Sequence, residues 1–122
     1  MRMFYDGEWH SIKQITCNVK VAASLRRILS AILAHYGSAE AVKAVNMDVY
    51  DGCYNDRSVR GSTKRSMHAY GAAIDMDAEH NALGATKWTM PMAVVDIFES
   101  EGWRWGGRYS GRKDAMHMEA CQ

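Results

Sequence analysis

His68 and Asp75 stand seven residues apart with Gly71 between them, in Ser66-Met67-His68-Ala69-Tyr70-Gly71-Ala72-Ala73-Ile74-Asp75. An imidazole nitrogen and a carboxylate oxygen are donors that a borderline divalent cation accepts. Seven is odd, so one unbroken strand would send the two side chains to opposite faces. Gly71 offers the turn that brings them together. A second pair lies near the other end of the chain, in Asp114-Ala115-Met116-His117-Met118-Glu119. Strand alternation there sorts Met116 and Met118 to an apolar face and His117 and Glu119 to the opposite one. His68, Asp75 and His117 together make a two-nitrogen, one-oxygen set that suits a tetrahedral ion, zinc above all, with a fourth position left for water. Asp114, three residues before His117, would lie close to that water without ligating, where a general base belongs. Spacing alone leaves open the plainer reading, in which each histidine is a hydrogen-bonded structural residue.

Positioning such a set requires two strands that converge. Ala72-Ala73-Ile74-Asp75-Met76-Asp77 alternates as a core strand does, Ile74 and Met76 against Asp75 and Asp77, and the segment ending in Glu119 supplies its partner. The pattern Ser-x-His-x-x-Gly-x-Ala-x-Asp at Ser66 to Asp75, then Gly102-Trp103-Arg104-Trp105-Gly106-Gly107, then Asp114-x-Met116-His117-x-Glu119, resembles the zinc D-Ala-D-Ala carboxypeptidase family. That family includes phage L-alanyl-D-glutamate endopeptidase endolysins and D-alanyl-D-alanine dipeptidases. The similarity runs from about Gly52 to Glu119 and departs from the family at Met118, where Phe is frequent.

Carried over residue by residue, the resemblance implies that His68, Asp75 and His117 bind one zinc ion and that Asp114 is the catalytic carboxylate. It also implies an arginine ahead of the His-x-x-Gly motif, for which Arg57 matches best and Arg60 second, to steady the negative oxygen that develops on a peptide carbonyl. Ser66 could orient His68 or bind substrate, and Trp105 could wall a groove or fill the core. Glu119, on the His117 face, fits a supporting role better than that of a fourth ligand. The implied fold is α+β and similar to Hedgehog and DD-peptidase domains, with a small antiparallel sheet carrying the zinc site against a long core helix and shorter helices. The implied substrate is the peptide stem of bacterial peptidoglycan. Endopeptidase action of the endolysin type is the expectation. The alternatives are a carboxypeptidase or dipeptidase, a non-catalytic zinc-binding module, and a cysteine hydrolase built on Cys53.

Composition sets outer bounds. The 122 residues, with 48% apolar, 24% charged and a net charge of +1, suit one small domain; with the resemblance, the expectation is a single metallopeptidase catalytic domain over 1–122, acting as a monomer. Basic residues are dispersed, which argues against a nucleic-acid partner. No apolar run reaches the ~18 residues of a membrane span, and the first residues lack a signal-peptide core. The expectation is synthesis in a host cytoplasm, action on the cell wall after release, and no membrane insertion. Cys17, Cys53 and Cys121, with no Cys-x-x-Cys pair, point to reduced thiols.

The remaining elements follow from periodicity and caps. Met1 to Thr16 reads as an extended start. Asn18 to Tyr36 carries an apolar stripe at helical spacing, with Asn18 as cap and Gly37 as terminator. Ser38 caps a short helix to Val45, and Met47 to Tyr50 reads as a strand closed by Asp51-Gly52. A helix begins near Pro91 and stops at Gly102, followed by a strand at Trp103 to Trp105 and a basic, glycine-containing loop from Arg108 to Lys113.

Overall fold

The computed structural model describes residues 1–15, 17–53 and 72–120. The described chain is an α+β arrangement of two small antiparallel sheets and three α-helices. The first sheet is a hairpin of β1 (Arg2–Tyr5) and β2 (Glu8–Ser11). The start is extended, as expected, and it folds back on itself as a pair. Asp6 and Gly7 both take positive φ, 52° and 79°, the turn that an Asp-Gly pair favours between two strands.

Helix α1 (Val19–Tyr36) matches its stripe: the Asn18 side chain accepts from the Lys20 amide, and Gly37 closes the helix at φ 87°. Leu25, Ile28 and Ile32 are its buried positions. The short α2 (Ala39–Ala44) is capped by the Ser38 hydroxyl. The expected strand at Met47 to Tyr50 reduces to a turn and two isolated bridges, Arg2 with Val49 and Tyr50 with Met76. Asn46, at φ 60°, curls the chain just where that strand would have begun.

The second sheet has the order β3 (Ala73–Asp75), β5 (His117–Ala120), β4 (Trp103–Trp105), antiparallel throughout. Helix α3 (Met92–Ser100) follows Pro91 and buries Val94, Val95 and Phe98. These side chains join Leu25, Ile28 and Ile32 of α1 and Ile74, Met118, Trp103 and Trp105 of the sheet in one core. Burying an aliphatic side chain of this size contributes about 1.5–3 kcal/mol, so the apolar face of the sheet is fixed against the helices and its other face is left for polar groups. No helix among the described residues is long and apolar enough to cross a membrane.

Candidate metal centre

β3 and β5 are the two strands the alternation called for, and their register sets Asp75 directly opposite His117. The sorting holds on β3 and the residue after it: Ile74 and Met76 are fully buried while Asp75 lies at the edge of the core. β5 is shorter than its sequence pattern suggested: Ala115 and Met116 form a turn, and Asp114 precedes it. Asp77 leaves the site face as well. It turns at φ 49° and is buried, with its carboxylate on His80 Nδ1 at 2.8 Å.

The backbone at each position is pinned from two sides. The Asp75 amide donates to the Gly52 carbonyl at 2.8 Å, and the Asp75 carbonyl accepts from the Asp51 amide at 2.9 Å. The Asp114 amide donates to the Gly106 carbonyl at 3.0 Å, and the Asp114 carbonyl accepts from the His117 amide at 3.1 Å. A Cβ built on Gly106 would fall 2.2 Å from the Asp114 carbonyl oxygen, so only glycine permits this approach. Trp105 is 5% exposed, and its indole Nε1 donates to the Ala115 carbonyl at 2.8 Å. It braces the turn between Asp114 and His117 from within the core and stacks edge-on with Trp88.

Around His117 the polar groups divide by ring nitrogen. Nδ1 lies 3.1 Å from Asp75 Oδ1 and 4.0 Å from Asp114 Oδ2, while Nε2 lies 3.0 Å from Glu119 Oε1. Glu119 Oε1 also accepts from the Tyr109 hydroxyl at 2.5 Å. Burial opposes charge on the imidazole, yet the Asp75 and Glu119 carboxylates outweigh it and raise the His117 pKa to about 9. The same contact with His117, aided by the Tyr109 hydroxyl and nearby Arg104, holds the Glu119 carboxyl down at about 2. Carboxylates on both sides of the ring thus favour its protonated form.

The donors fit a divalent ion. With zinc bonds of about 2.0–2.2 Å to nitrogen and oxygen, tetrahedral ligands lie about 3.3–3.5 Å apart, close to the 3.1 Å between Nδ1 and Asp75 Oδ1. Nδ1 and Asp75 Oδ1 face the place such an ion would take, and the Asp114 carboxylate on the same side of the ring favours a positive charge there. Asp114 lies on the same Nδ1 side, farther out, as an outer carboxylate would. Among the described residues no group of three or more His, Cys, Asp or Glu forms a complete metal cage. His68, the expected third ligand, lies outside the described residues, as do Ser66, Arg57 and Arg60.

Two contacts of this centre have no counterpart in the sequence reading. Tyr109 sits in the irregular loop after β4, ten residues from its partner Glu119, where no periodicity links the two. Gly106 is part of a recognised motif, but its contact with Asp114 is a matter of three dimensions. Cys53 is fully buried and its thiol is pushed up to about 12, chiefly by burial, which is the wrong direction for a nucleophile.

The sequence model of one family, described as D-alanyl-D-alanine carboxypeptidase, matches residues 60–120, half of the chain. No curated protein and no solved structure matches. The matched span takes in the His68 to Asp75 motif, β3, the Gly106 approach and the Asp114 to Glu119 segment, and on that match the chain belongs to the D-alanyl-D-alanine carboxypeptidase family.

Proposed function

We propose that the protein is a zinc peptidase that cuts the peptidoglycan stem as an L-alanyl-D-glutamate endopeptidase, in the manner of phage endolysins. Family membership supports metallopeptidase action on peptidoglycan in general. The observation that carries the site is the opposition of Asp75 and His117 across β3 and β5, with Asp114 on the same side of the ring. In this reading His68, Asp75 and His117 hold one zinc ion. When bound, the ion polarises a scissile carbonyl and brings the pKa of a water to about 7.

The chain's own groups do the rest. Asp114 takes the proton of the attacking water and returns it to the leaving amine. Its backbone is fixed by Gly106 and by the His117 amide, so the carboxylate meets its partners in one place. Arg57, with Arg60 as the second candidate, steadies the carbonyl oxygen as it becomes negative. Ser66 orients His68 or substrate, Trp105 braces the turn, and Glu119 holds His117. The proposal includes a single catalytic domain over 1–122, acting as a monomer, made in a host cytoplasm and reaching the wall after release.

The family description itself favours a second reading, removal of a terminal D-alanine. Mass spectrometry of products from purified peptidoglycan separates the two. New N-terminal D-Glu ends, lost on chelation and restored by zinc, are expected. Released D-Ala would select the carboxypeptidase instead. A zinc-loaded protein that yields no product would leave a zinc-binding module without catalysis.

A further inference from the structure

The imidazole of a ligating histidine has to present one nitrogen as a lone pair and keep its proton on the other. For His117 the choice is made outside the ring. Nδ1 faces Asp75 and Asp114, and Nε2 faces Glu119 Oε1 at 3.0 Å. When Nδ1 gives up its proton to an ion, a carboxylate at Nε2 accepts the hydrogen bond of the remaining ring N–H and holds the Nδ1 lone pair toward the acidic pair. Glu119 is a flexible side chain near the end of β5, and its geometry has its own support. The Tyr109 hydroxyl donates to the same Oε1 at 2.5 Å. Arg104 stands opposite Glu119 in the β4–β5 register, with its guanidinium 5.8 Å from the Tyr109 ring centre.

Tyr109 is in turn fixed through its backbone. Its amide donates to the Gly106 carbonyl at 3.3 Å, and its carbonyl accepts from Lys113 Nζ. Gly106 O also accepts from the Asp114 amide. One carbonyl therefore ties the loop that carries Tyr109 to the residue proposed as the base. The phenol is half-buried, and its ring centre lies 6.3 Å from that of His117.

We propose that Tyr109 is a positioning residue of the metal centre: it holds Glu119 so that His117 keeps its proton on Nε2 and offers Nδ1 to a divalent cation beside Asp75. This rests on the reading of Asp75 and His117 as ligands. Tyr109 acts through the bond of its hydroxyl to Glu119. It removes freedom from Glu119 and, through it, from the ring.

The test is Tyr109→Phe, which keeps the ring and its contacts and deletes only the hydroxyl. Zinc affinity is measured by competition with a chromophoric chelator, and the His117 Nε2 proton is followed by NMR in 15N-histidine-labelled, zinc-loaded protein. Loss of such an outer partner weakens metal binding by 10–100-fold. About a tenfold loss is expected here, because Glu119 itself remains, together with faster solvent exchange of the Nε2 proton. Glu119→Gln should show the same two changes and serves as the second variant if Tyr109→Phe does not fold. Wild-type affinity in a folded Tyr109→Phe protein would overturn the inference alone. So would weakened binding with an unmoved Nε2 proton, which would mark a merely structural role. If the wild-type protein takes up no zinc, the metal reading falls and this inference with it.

Discussion

Gly106→Ala is the sharpest probe of how the candidate base is held. An ideal Cβ at this position lies 2.2 Å from the Asp114 carbonyl oxygen, 2.9 Å from its Cβ and 3.0 Å from its carbonyl carbon. Two of these atoms are backbone, so no rotamer change relieves the contact. Restoring an ordinary carbon–oxygen separation requires a shift of about 1 Å. The neighbours of Asp114 transmit that shift, because its amide bonds to Gly106 O and its carbonyl to the His117 amide. Overpacking of this kind costs about 1–3 kcal/mol in stability. Misplacing a catalytic group by 1 Å costs about 100-fold in rate. The expected result, measured on purified peptidoglycan at a temperature where circular dichroism shows the variant folded, is a roughly 100-fold drop in kcat with a much smaller change in KM. Gly111→Ala is the internal control, since a Cβ there meets nothing within 4 Å and activity should be unchanged. A folded Gly106→Ala enzyme with kcat within about twofold of wild type would refute the argument that this glycine places Asp114.

Asp114→Asn should keep zinc, counted by metal analysis, and lose hydrolysis by 100-fold or more, because general base catalysis contributes about that much. Chelated protein should lose stability as pH rises from about 6.5 to about 9. The raised His117 pKa means its charge stabilises the fold fully below the unfolded value and ceases to do so above the folded one, a change on the order of 3 kcal/mol readable from urea midpoints. Zinc affinity should rise over the same window, since ligation requires Nδ1 to give up its proton. Native Cys53 should resist alkylation at pH 8 and hydrolysis should survive the reagent; inactivation that tracks Cys53 labelling would revive the cysteine reading. Asn81 is fully buried: its Oδ1 accepts from the Thr89 and Met90 amides and its Nδ2 donates to the Asp77 carbonyl. Asn81→Ala should cost about 2–3 kcal/mol in urea unfolding, because it strands buried backbone groups.

The parts of this fold that could be read from the chain are those where a period or a cap leaves a local trace. The α1 stripe with Asn18 and Gly37 at its ends, the Ser38 cap and the alternation around Ile74 are of this kind, and each stands where the sequence put it. The site pairing was legible for the same reason: two strands with opposite faces assigned leave one antiparallel arrangement that puts Asp75 beside His117. The hairpin at the start left a signal too, in Asp6-Gly7, but its strands expose Phe4, Tyr5 and Trp9, so no buried face marked them. The expected strand at Met47 to Tyr50 gives way to a turn around Asn46, at φ 60°, a conformation asparagine tolerates locally, so the apolar run outweighed a turn signal just ahead of it. Tyr109 could not be found at all from spacing, since its partner is reached through space from an irregular loop.

The division between legible and illegible follows the division of labour in the site. The ligand candidates need only a strand face and a register, both encoded within a few residues. What makes them chemically specific is built from contacts that ignore sequence distance: Gly106 against Asp114, Trp105 under Ala115, Tyr109 on Glu119. All three arise from the stretch between Trp105 and Tyr109, which leads out of β4 and runs beside β5. That stretch carries no candidate ligand and no candidate base, yet it touches the supports of both. A motif of the Trp-Arg-Trp-Gly-Gly type, placed between two ligand motifs, is then best understood as the frame on which the carboxylate and the imidazole are aimed. Substitutions there should change metal affinity and kcat before they change KM.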